Sequence, residues 1–478
     1  MKTMTDDAEH FLFPFEYVTK GSRVLIYGAG LVGQRYLQQV MATNYCHVIG
    51  FADRNYAEFN NLAVPVYAPH EIHTLDFDVT VIALRNSIPL HAVREFLLEE
   101  GVAEEQIIFV GARVYPAVWL KNSEDKELSG KLAFSQQSNA CAFSLSGGFG
   151  DMIIQKRFLS EFIRLAPDCK IDIFCVNDVP FMEWLYSDCK EHISNIILNR
   201  GTYYERYNGN YAFGMTLDGS GYWAVDVFKP EMFSEREAVL QKKIHALTNL
   251  GRAENMQPSV LFHTVISRCT CKGLSCYTRF GFDGIFDIHD DRVVIPLESD
   301  IEGELLLHNM SPYITINCGV GNSSDGRGVA KAWTKERFQQ VIELLHSRYT
   351  SVKVVQVGGG NAVRMSGADS YWLGKSFESV ACLLKHAILH IDVEGGLVHL
   401  ATQLGTKCAV LFGPTQVAYF GYSQNINIKT GKCHDCCGLY DNLDRCARGM
   451  EKPECMYKIT PEYVMEKIIP YLDETLVK

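Results

Sequence analysis

The chain has 478 residues, 47% of them hydrophobic and 21% charged, with a formal net charge of -11. That length suits about three globular cores, and an acidic balance without a concentrated excess of Lys and Arg excludes a general binder of nucleic-acid backbone, while leaving room for a local basic cleft. Met1 to Pro14 is acidic and short of an apolar run, and no later stretch is long and apolar enough to cross a bilayer; neither a secretory signal nor a transmembrane segment is read, and a cytoplasmic location is expected.

The first predicted unit opens with the apolar run Val24 to Tyr27, passes through Gly28-Ala29-Gly30-Leu31-Val32-Gly33, and enters a helical stretch from Gln34 to Met41. A second strand, Val48 to Phe51, leads to Asp53. Val79 to Ala83 and Ile107 to Val110 read as further strands, with a helix from His91 to Leu98 between them. Such alternation implies an α/β domain with a parallel sheet. Gly28-x-Gly30-x-x-Gly33 with Asp53 twenty residues on has dinucleotide-fingerprint spacing, Asp53 standing where it would accept from a ribose hydroxyl. No Tyr-x-x-x-Lys or other hydride-transfer constellation follows in the first 120 residues, so a self-sufficient dehydrogenase is not expected. A nucleotide or NAD, a sugar, a docking partner and a homo-oligomer are the uses this domain, residues 1–118, leaves open.

Lys121 to Lys131 is polar and charged, which places a linker over residues 119–135. A new α/β alternation starts with the strand Cys141 to Leu145, a glycine turn, an amphipathic helix from Asp151 to Leu165 and the strand Ile171 to Val176. Gly201 to Ser234, rich in Tyr, Gly and Asn, reads as insertions or loops. Alternation resumes at Tyr313 to Asn317, followed by a helix with Phe338, Val341, Ile342 and Leu345 on one face. Later strands are Val354 to Val357, Ile388 to Ile391 and Cys408 to Phe412, and Thr460-Pro461 caps a last helix running through Ile469.

Three stretches carry chemistry. Ser146-Gly147-Gly148-Phe149-Gly150-Asp151 joins a strand to a helix, which puts a carboxylate at the sheet edge where ligands gather, or at the helix start as a cap. Cys318-Gly319-Val320-Gly321-Asn322 through Arg327-Gly328 to Lys331-Ala332-Trp333 offers small residues that let a phosphate approach the backbone and a lysine that can reach it; a solvated loop lysine is the other reading. In Asp392-Val393-Glu394-Gly395-Gly396-Leu397-Val398-His399, the glycines let a helix start face a ligand. Glu394 is an acceptor for sugar or ribose hydroxyls, and His399 lies one turn into the helix as a ligand contact or a structural histidine.

Together, the strand-Gly-Gly-x-Gly-Asp-helix opening, the Lys-x-Trp before the central helix, and the acidic-x-Gly-x-x-His-Leu-Ala stretch followed by Phe412-Gly413-Pro414-Thr415 resemble the bacterial heptosyltransferase family over about Ala142 to Ile469. The resemblance implies two facing Rossmann-like lobes, an acceptor lobe over residues 136–305 and a nucleotide-sugar donor lobe over 306–478. It further implies an inverting glycosyltransferase in which Asp151 is the general base on an acceptor hydroxyl and Lys331 neutralises the donor diphosphate, with no metal needed for the step. Donor contacts carried over by position are Gly319, Gly321, Lys331, Glu394, Gly395, Gly396 and His399. The partners would be a nucleotide-diphosphate sugar, a heptose donor among the candidates, and a protein or saccharide acceptor. Glu394 stands where many members carry Asp, and Gly395 replaces a hydroxyl residue, which bears on the donor's identity.

Of sixteen cysteines, five fall in one short segment: Cys433, Cys436, Cys437, Cys446 and Cys455. Two close thiolates and two more distant ones can close a tetrahedral zinc or iron site, with Cys433, Cys436, Cys446 and Cys455 as ligands and Cys437 spare; free cysteines in a surface loop are the alternative. This segment is similar to the iron-bound cysteine motif of the autotransporter heptosyltransferase subgroup, which modifies protein. Two other classes compete with the transferase: an NAD-dependent oxidoreductase working at Gly28 to Asp53, which leaves Asp151, Lys331 and His399 unexplained together, and a non-catalytic sugar-binding or assembly protein that keeps the fold.

Overall fold

A computed structural model describes the chain apart from residues 1–9, 12, 60–61, 85–89, 110–113, 116–127, 177–178, 199, 220, 255–261, 298–311, 320–329, 432, 434, 438–445 and 478. Two compact units emerge, Met1–Asp125 and Lys126–Lys478.

In the first unit the strands β1 (Arg23–Tyr27), β2 (His47–Ala52), β3 (Val66–Tyr67), β4 (Val79–Ile82) and β5 (Ile107–Ile108) form one parallel sheet in the order β3-β2-β1-β4-β5. Val24 and Ile26 pack with Val32, Tyr36 and Val40 of α1 (Leu31–Thr43), while Leu25 and Tyr27 pack with Val93 and Leu97 of α2 (Leu90–Glu99). Helices thus cover both faces, which is why β1 reads as an unbroken apolar run. Gly28, at φ +110, makes the turn out of β1, and Gly33 has no room for a Cβ against the Gly28 carbonyl, so α1 lies close on the strand. The Asp53 carboxylate accepts from Ala29 N–H and Asn55 N–H, both at 2.8 Å, and so braces the glycine turn.

The second unit holds two more sheets. The first is built from β6 (Cys141–Ser146), β7 (Ile171–Cys175), β8 (Ile193–Leu198), β9 (Phe213–Asp218) and β10 (Trp223–Phe228) in the order β8-β7-β6-β9-β10, parallel except for the edge strand β10. α3 (Phe149–Leu165) buries Met152, Phe158, Leu159 and Phe162 against it. The second sheet comprises β11 (Tyr313–Asn317), β12 (Lys353–Gly358), β13 (Ser370–Leu373), β14 (Leu389–Val393), β15 (Cys408–Leu411) and β16 (Ile426–Ile428), all parallel, in the order β13-β12-β11-β14-β15-β16. In each of these three sheets the strand order therefore reverses beside the first strand, the order of a doubly wound Rossmann-type fold.

Two expectations change. Gly201 to Ser234 is not loop alone: it contains β9, which pairs in parallel with β6 and buries Phe213, Met215 and Leu217. Those three alternate with Gly214 and Thr216, a strand period hidden by the Tyr- and Asn-rich flanks. The last helix, Pro461–Val477, runs past Ile469 through Pro470, since a proline gives up one helical N–H bond without obliging the chain to stop. Of the expected linker, residues 119–127 lie outside the described part; beyond them Leu132 and Ala133 are fully buried, and Ala133 N–H donates to the buried Asp172 carboxylate at 2.7 Å.

The two lobes of this unit share a core. One continuous cluster runs from Phe143, Met152 and Phe286 to Val398, Ala401 and Val410. Phe149 of the first lobe stacks on Phe377 of the second, at 5.0 Å between ring centroids, and Phe181 packs tilted against the same ring at 4.5 Å.

Candidate active site

In each lobe the strand order reverses beside the first strand, between β6 and β9 and between β11 and β14, and ligands in open α/β sheets collect outside such points. The loops leaving those four strands line one cavity of about 620 Å³.

On the first-lobe side, Gly147 adopts φ +126, which turns the chain out of β6 so that α3 starts at once. Asp151 lies in the first turn of α3 and accepts from Gly148 N–H at 2.7 Å. A Cβ on Gly147 would lie 2.6 Å from the Asp151 side chain and one on Gly219, after β9, 2.8 Å from it. The carboxylate is seated between two glycines and lines the cavity. Capping and facing the ligand space are thus one position, not two alternatives. Burial pushes this carboxyl above its usual value, against the opposing pull of Gly148 N–H, Arg279 and Lys331.

On the second-lobe side Gly319, Lys331, Glu394, Gly395, Gly396 and His399 all line the same cavity. Gly321 lies outside the described residues, as do Arg327 and Gly328. Glu394 is forked: Oε2 lies 3.4 Å from Lys331 Nζ and Oε1 4.0 Å from His399 Nε2. Burial alone would lower the Lys331 ammonium, but Glu394, with Asp151 further off, outweighs it and holds the lysine above its ordinary value. Burial brings His399 down to about 4, leaving its ring neutral at neutral pH. Below them Asn317 donates to both oxygens of the buried Asp392 at 3.1 and 3.0 Å and exchanges hydrogen bonds with Gly319, tying β11 to β14 under the glycine turn. The helix Gly396–Gln403 begins against α3, and a Cβ on Gly150 would lie 2.9 Å from Gly396 Cα.

Sequence reasoning missed several cavity residues. Asn317 ends β11, Asn361 follows the Gly358-Gly359-Gly360 turn, and Lys375 precedes the helix Phe377–His386. Gly374-Lys375-Ser376 before a helix was a signal of the same kind as the loops that were singled out. Tyr277 and Tyr422 had none, for they reach His399 only through the fold, at 3.2 and 2.6 Å from Nδ1.

Cys433, Cys436, Cys446 and Cys455 line a separate cavity of about 400 Å³, while the neighbouring Cys437 turns to the main one. Among the described residues no group of three His, Cys, Asp or Glu side chains stands close enough to hold a metal ion. The donor set is nonetheless of the thiolate type: Cys455 is raised to about 11, by burial first and then by Cys433, Cys436 and Cys446, a crowding that a bound cation would relieve. Cys436 and Cys437 both anchor their N–H groups on the Pro414 carbonyl, at 3.1 and 3.0 Å.

Residues 20–108 match the family model C2185-like, N-terminal, and residues 310–438 match glycosyltransferase family 9 (heptosyltransferase). The chain carries a glycosyltransferase family 9 domain. That domain contains Lys331, Glu394 and His399, and with it the protein is a glycosyltransferase. Among solved structures, a family 9 glycosyltransferase from Veillonella parvula is 16% identical, with 71% of this chain and 98% of that one covered and a TM-score of 0.46. The iron-containing dodecameric glycosyltransferase TibC from enterotoxigenic E. coli is 15% identical over 71% and 79% of the two chains, with a TM-score of 0.47. The ADP-heptose lps heptosyltransferase II of E. coli is 12% identical over 71% and 99%, with a TM-score of 0.43. No curated protein matches the chain. No helix among the described residues is long and apolar enough to cross a membrane.

Proposed function

We propose that residues 136–478 form an inverting glycosyltransferase that moves a sugar from a nucleotide-diphosphate donor to a hydroxyl of a protein or saccharide acceptor. The observation that carries this reading is the meeting of Asp151, Lys331 and Glu394 around one cavity between two sheet-reversal points. Asp151 takes the proton of the acceptor hydroxyl as its oxygen attacks the anomeric carbon from the face opposite the leaving group, and its raised basicity suits that task. Lys331 and the start of the helix Gly396–Gln403 receive the charge that develops on the departing nucleoside diphosphate. Glu394 accepts from hydroxyls of the donor, and Gly319, Gly395 and Gly396 let the donor lie close on the backbone. A heptose is within the family's range of sugars.

Cys433, Cys436, Cys446 and Cys455 would hold iron or zinc in a structural role, supported by four thiols around one cavity. Bound there, the ion would fix the segment between them and take no part in transfer. The front domain, residues 1–118, is an accessory nucleotide-binding-type module. Its Asp53 carboxylate braces the Gly28-Ala29-Gly30 turn, an arrangement that a nucleotide ligand would share with the protein.

Thermal unfolding of the purified protein against ADP, GDP, UDP, CDP and NAD tests the reading, with Lys331→Ala alongside. One nucleoside diphosphate should stabilise the parent and not the variant, by about 2.7 kcal/mol at a hundredfold excess over its Kd. Stabilisation by NAD alone, unaffected by Lys331→Ala, would move the working site to the front domain.

A further inference from the structure

His399 Nδ1 faces away from the cavity into a buried pocket formed by two hydroxyls, Tyr422 Oη at 2.6 Å and Tyr277 Oη at 3.2 Å. Tyr277 comes from the first lobe, where the preceding residue, Cys276, donates its N–H to Tyr419 O at 3.0 Å across the lobe boundary; Tyr422 and His399 belong to the second. All three side chains are at most 3% exposed. Burial holds both tyrosines well above the usual phenol range, so each keeps its single proton.

The geometry of these bonds favours one place for the histidine proton. Tyr422 Oη–H donates to Tyr277 Oη at 2.7 Å, which uses its only proton. With that proton so used, the Tyr422 oxygen 2.6 Å from Nδ1 is left to accept, which favours a ring that donates from Nδ1. The opposite nitrogen agrees. Nε2 stands 4.0 Å from Glu394 Oε1, longer than the hydrogen bond that an N–H beside a buried carboxylate would make.

We propose that Tyr277 and Tyr422 are positioning residues that fix His399 in the tautomer protonated on Nδ1, so that Nε2 meets the ligand as a bare hydrogen-bond acceptor beside Glu394. The pair His399 Nε2 and Glu394 Oε1 then receives hydroxyl donors and repels phosphate oxygens. This confines the donor's diphosphate to the lysine side of Glu394 and turns a hydroxyl-bearing ring, sugar or ribose, towards His399. The inference rests on the transferase reading for its ligand but not for its tautomer.

Two measurements test it. In the full-length protein labelled with ring-¹⁵N histidine, the His399 signals are assigned by their loss in His399→Gln. We expect a directly bonded proton on Nδ1 and none on Nε2 in the ligand-free protein, and a redistribution between the two nitrogens in Tyr422→Phe. Protonated Nε2 in the parent, or an unchanged tautomer in a folded Tyr422→Phe, overturns the proposal; Tyr277→Phe takes its place if Tyr422→Phe does not fold. Binding is then titrated with ADP, GDP, UDP and CDP and with the glucose conjugate of whichever binds. A roughly tenfold weakening in the tyrosine variant that is already present with the nucleoside diphosphate assigns the hydroxyl to the ribose; one confined to the conjugate assigns it to the sugar. Equal affinity for parent and variant with both probes overturns the proposal. Should none of the nucleotides bind the parent, the transferase reading fails, and the tautomer measurement still decides the role of the tyrosines.

Discussion

Gly150 of the first lobe and Gly396 of the second lie so close that a Cβ on Gly150 would stand 2.9 Å from Gly396 Cα, and one on Gly396 3.0 Å from Gly150 N and 2.4 Å from Phe149 Cδ1. The helices that carry Asp151 and His399 therefore touch backbone to backbone at their starts. Gly396→Ala should cost about 1–3 kcal/mol of stability, read by urea unfolding, and should lower kcat by displacing Asp151 from the donor side. A variant as stable and as active as the parent would show that the lobes do not meet there.

Asp151→Asn should lower transfer by about a hundredfold or more while leaving nucleoside diphosphate affinity nearly unchanged. Loss of donor binding would refute its assignment as base. Because burial raises this carboxyl, the acidic limb of kcat/KM should lie above the usual carboxylate value of 3.8. Arg279, which pulls it down, gives the sign of a second test: Arg279→Ala should move that limb to higher pH.

Lys331 and Glu394 are partners before any ligand arrives, with side chains 18% and 8% exposed. Replacing either one strands the other's charge, so Lys331→Met and Glu394→Gln should each destabilise the protein, and the double variant should recover part of the sum. A thermodynamic cycle should give a coupling of about 0.5–3 kcal/mol. Additive losses would mean that the 3.4 Å approach contributes nothing.

His399 titrates near 4 in the folded protein against 6.5 for a free histidine. The unfolded chain therefore takes up this proton first as pH falls, so the contribution to stability is complete above about pH 6.5 and is lost progressively towards pH 4. The shift corresponds to about 3 kcal/mol at most. Urea unfolding of parent and His399→Gln at pH 7 and 4.5 should show a steeper decline in the parent. Parallel declines would place the acid sensitivity elsewhere.

Cys433→Ser with Cys436→Ser should lose bound metal and destabilise the segment that runs to Cys455. Metal analysis of the purified proteins together with limited proteolysis checks both parts; a metal-free variant as resistant as the parent would remove the thiol cluster from the structural role.

The elements that position the site were legible wherever one chain segment supplied both the strand and its turn. Val24 to Tyr27 before Gly28, Cys141 to Leu145 before Gly147, and Tyr313 to Asn317 before Gly319 each announced a sheet edge, because a strand covered on both faces is a continuous apolar run and small residues must follow it. β9 escaped because its apolar residues alternate within a Tyr- and Asn-rich neighbourhood, so Gly219, which seats Asp151, went unseen. Tyr277 escaped for a different reason. It lies 122 residues from His399 in the chain, and nothing local to it encodes a partner that only the packing of two lobes supplies.

The shared core also governs how ligands enter and leave. Swinging the lobes apart would expose Val398, Ala401 and Val410 to water together with the first-lobe side chains packed on them, at about 25 cal/mol for each Å² of apolar surface uncovered, and would break the Gln403 hydrogen bonds to Val293 N–H and the Asp291 carbonyl. Mechanically the two lobes form a single block with a chamber in it rather than a pair of jaws. For such a block we expect ligand traffic through the chamber's mouth to pace turnover, so raising solvent viscosity should slow product release, and the radius of gyration should be the same for the empty and the nucleotide-filled protein.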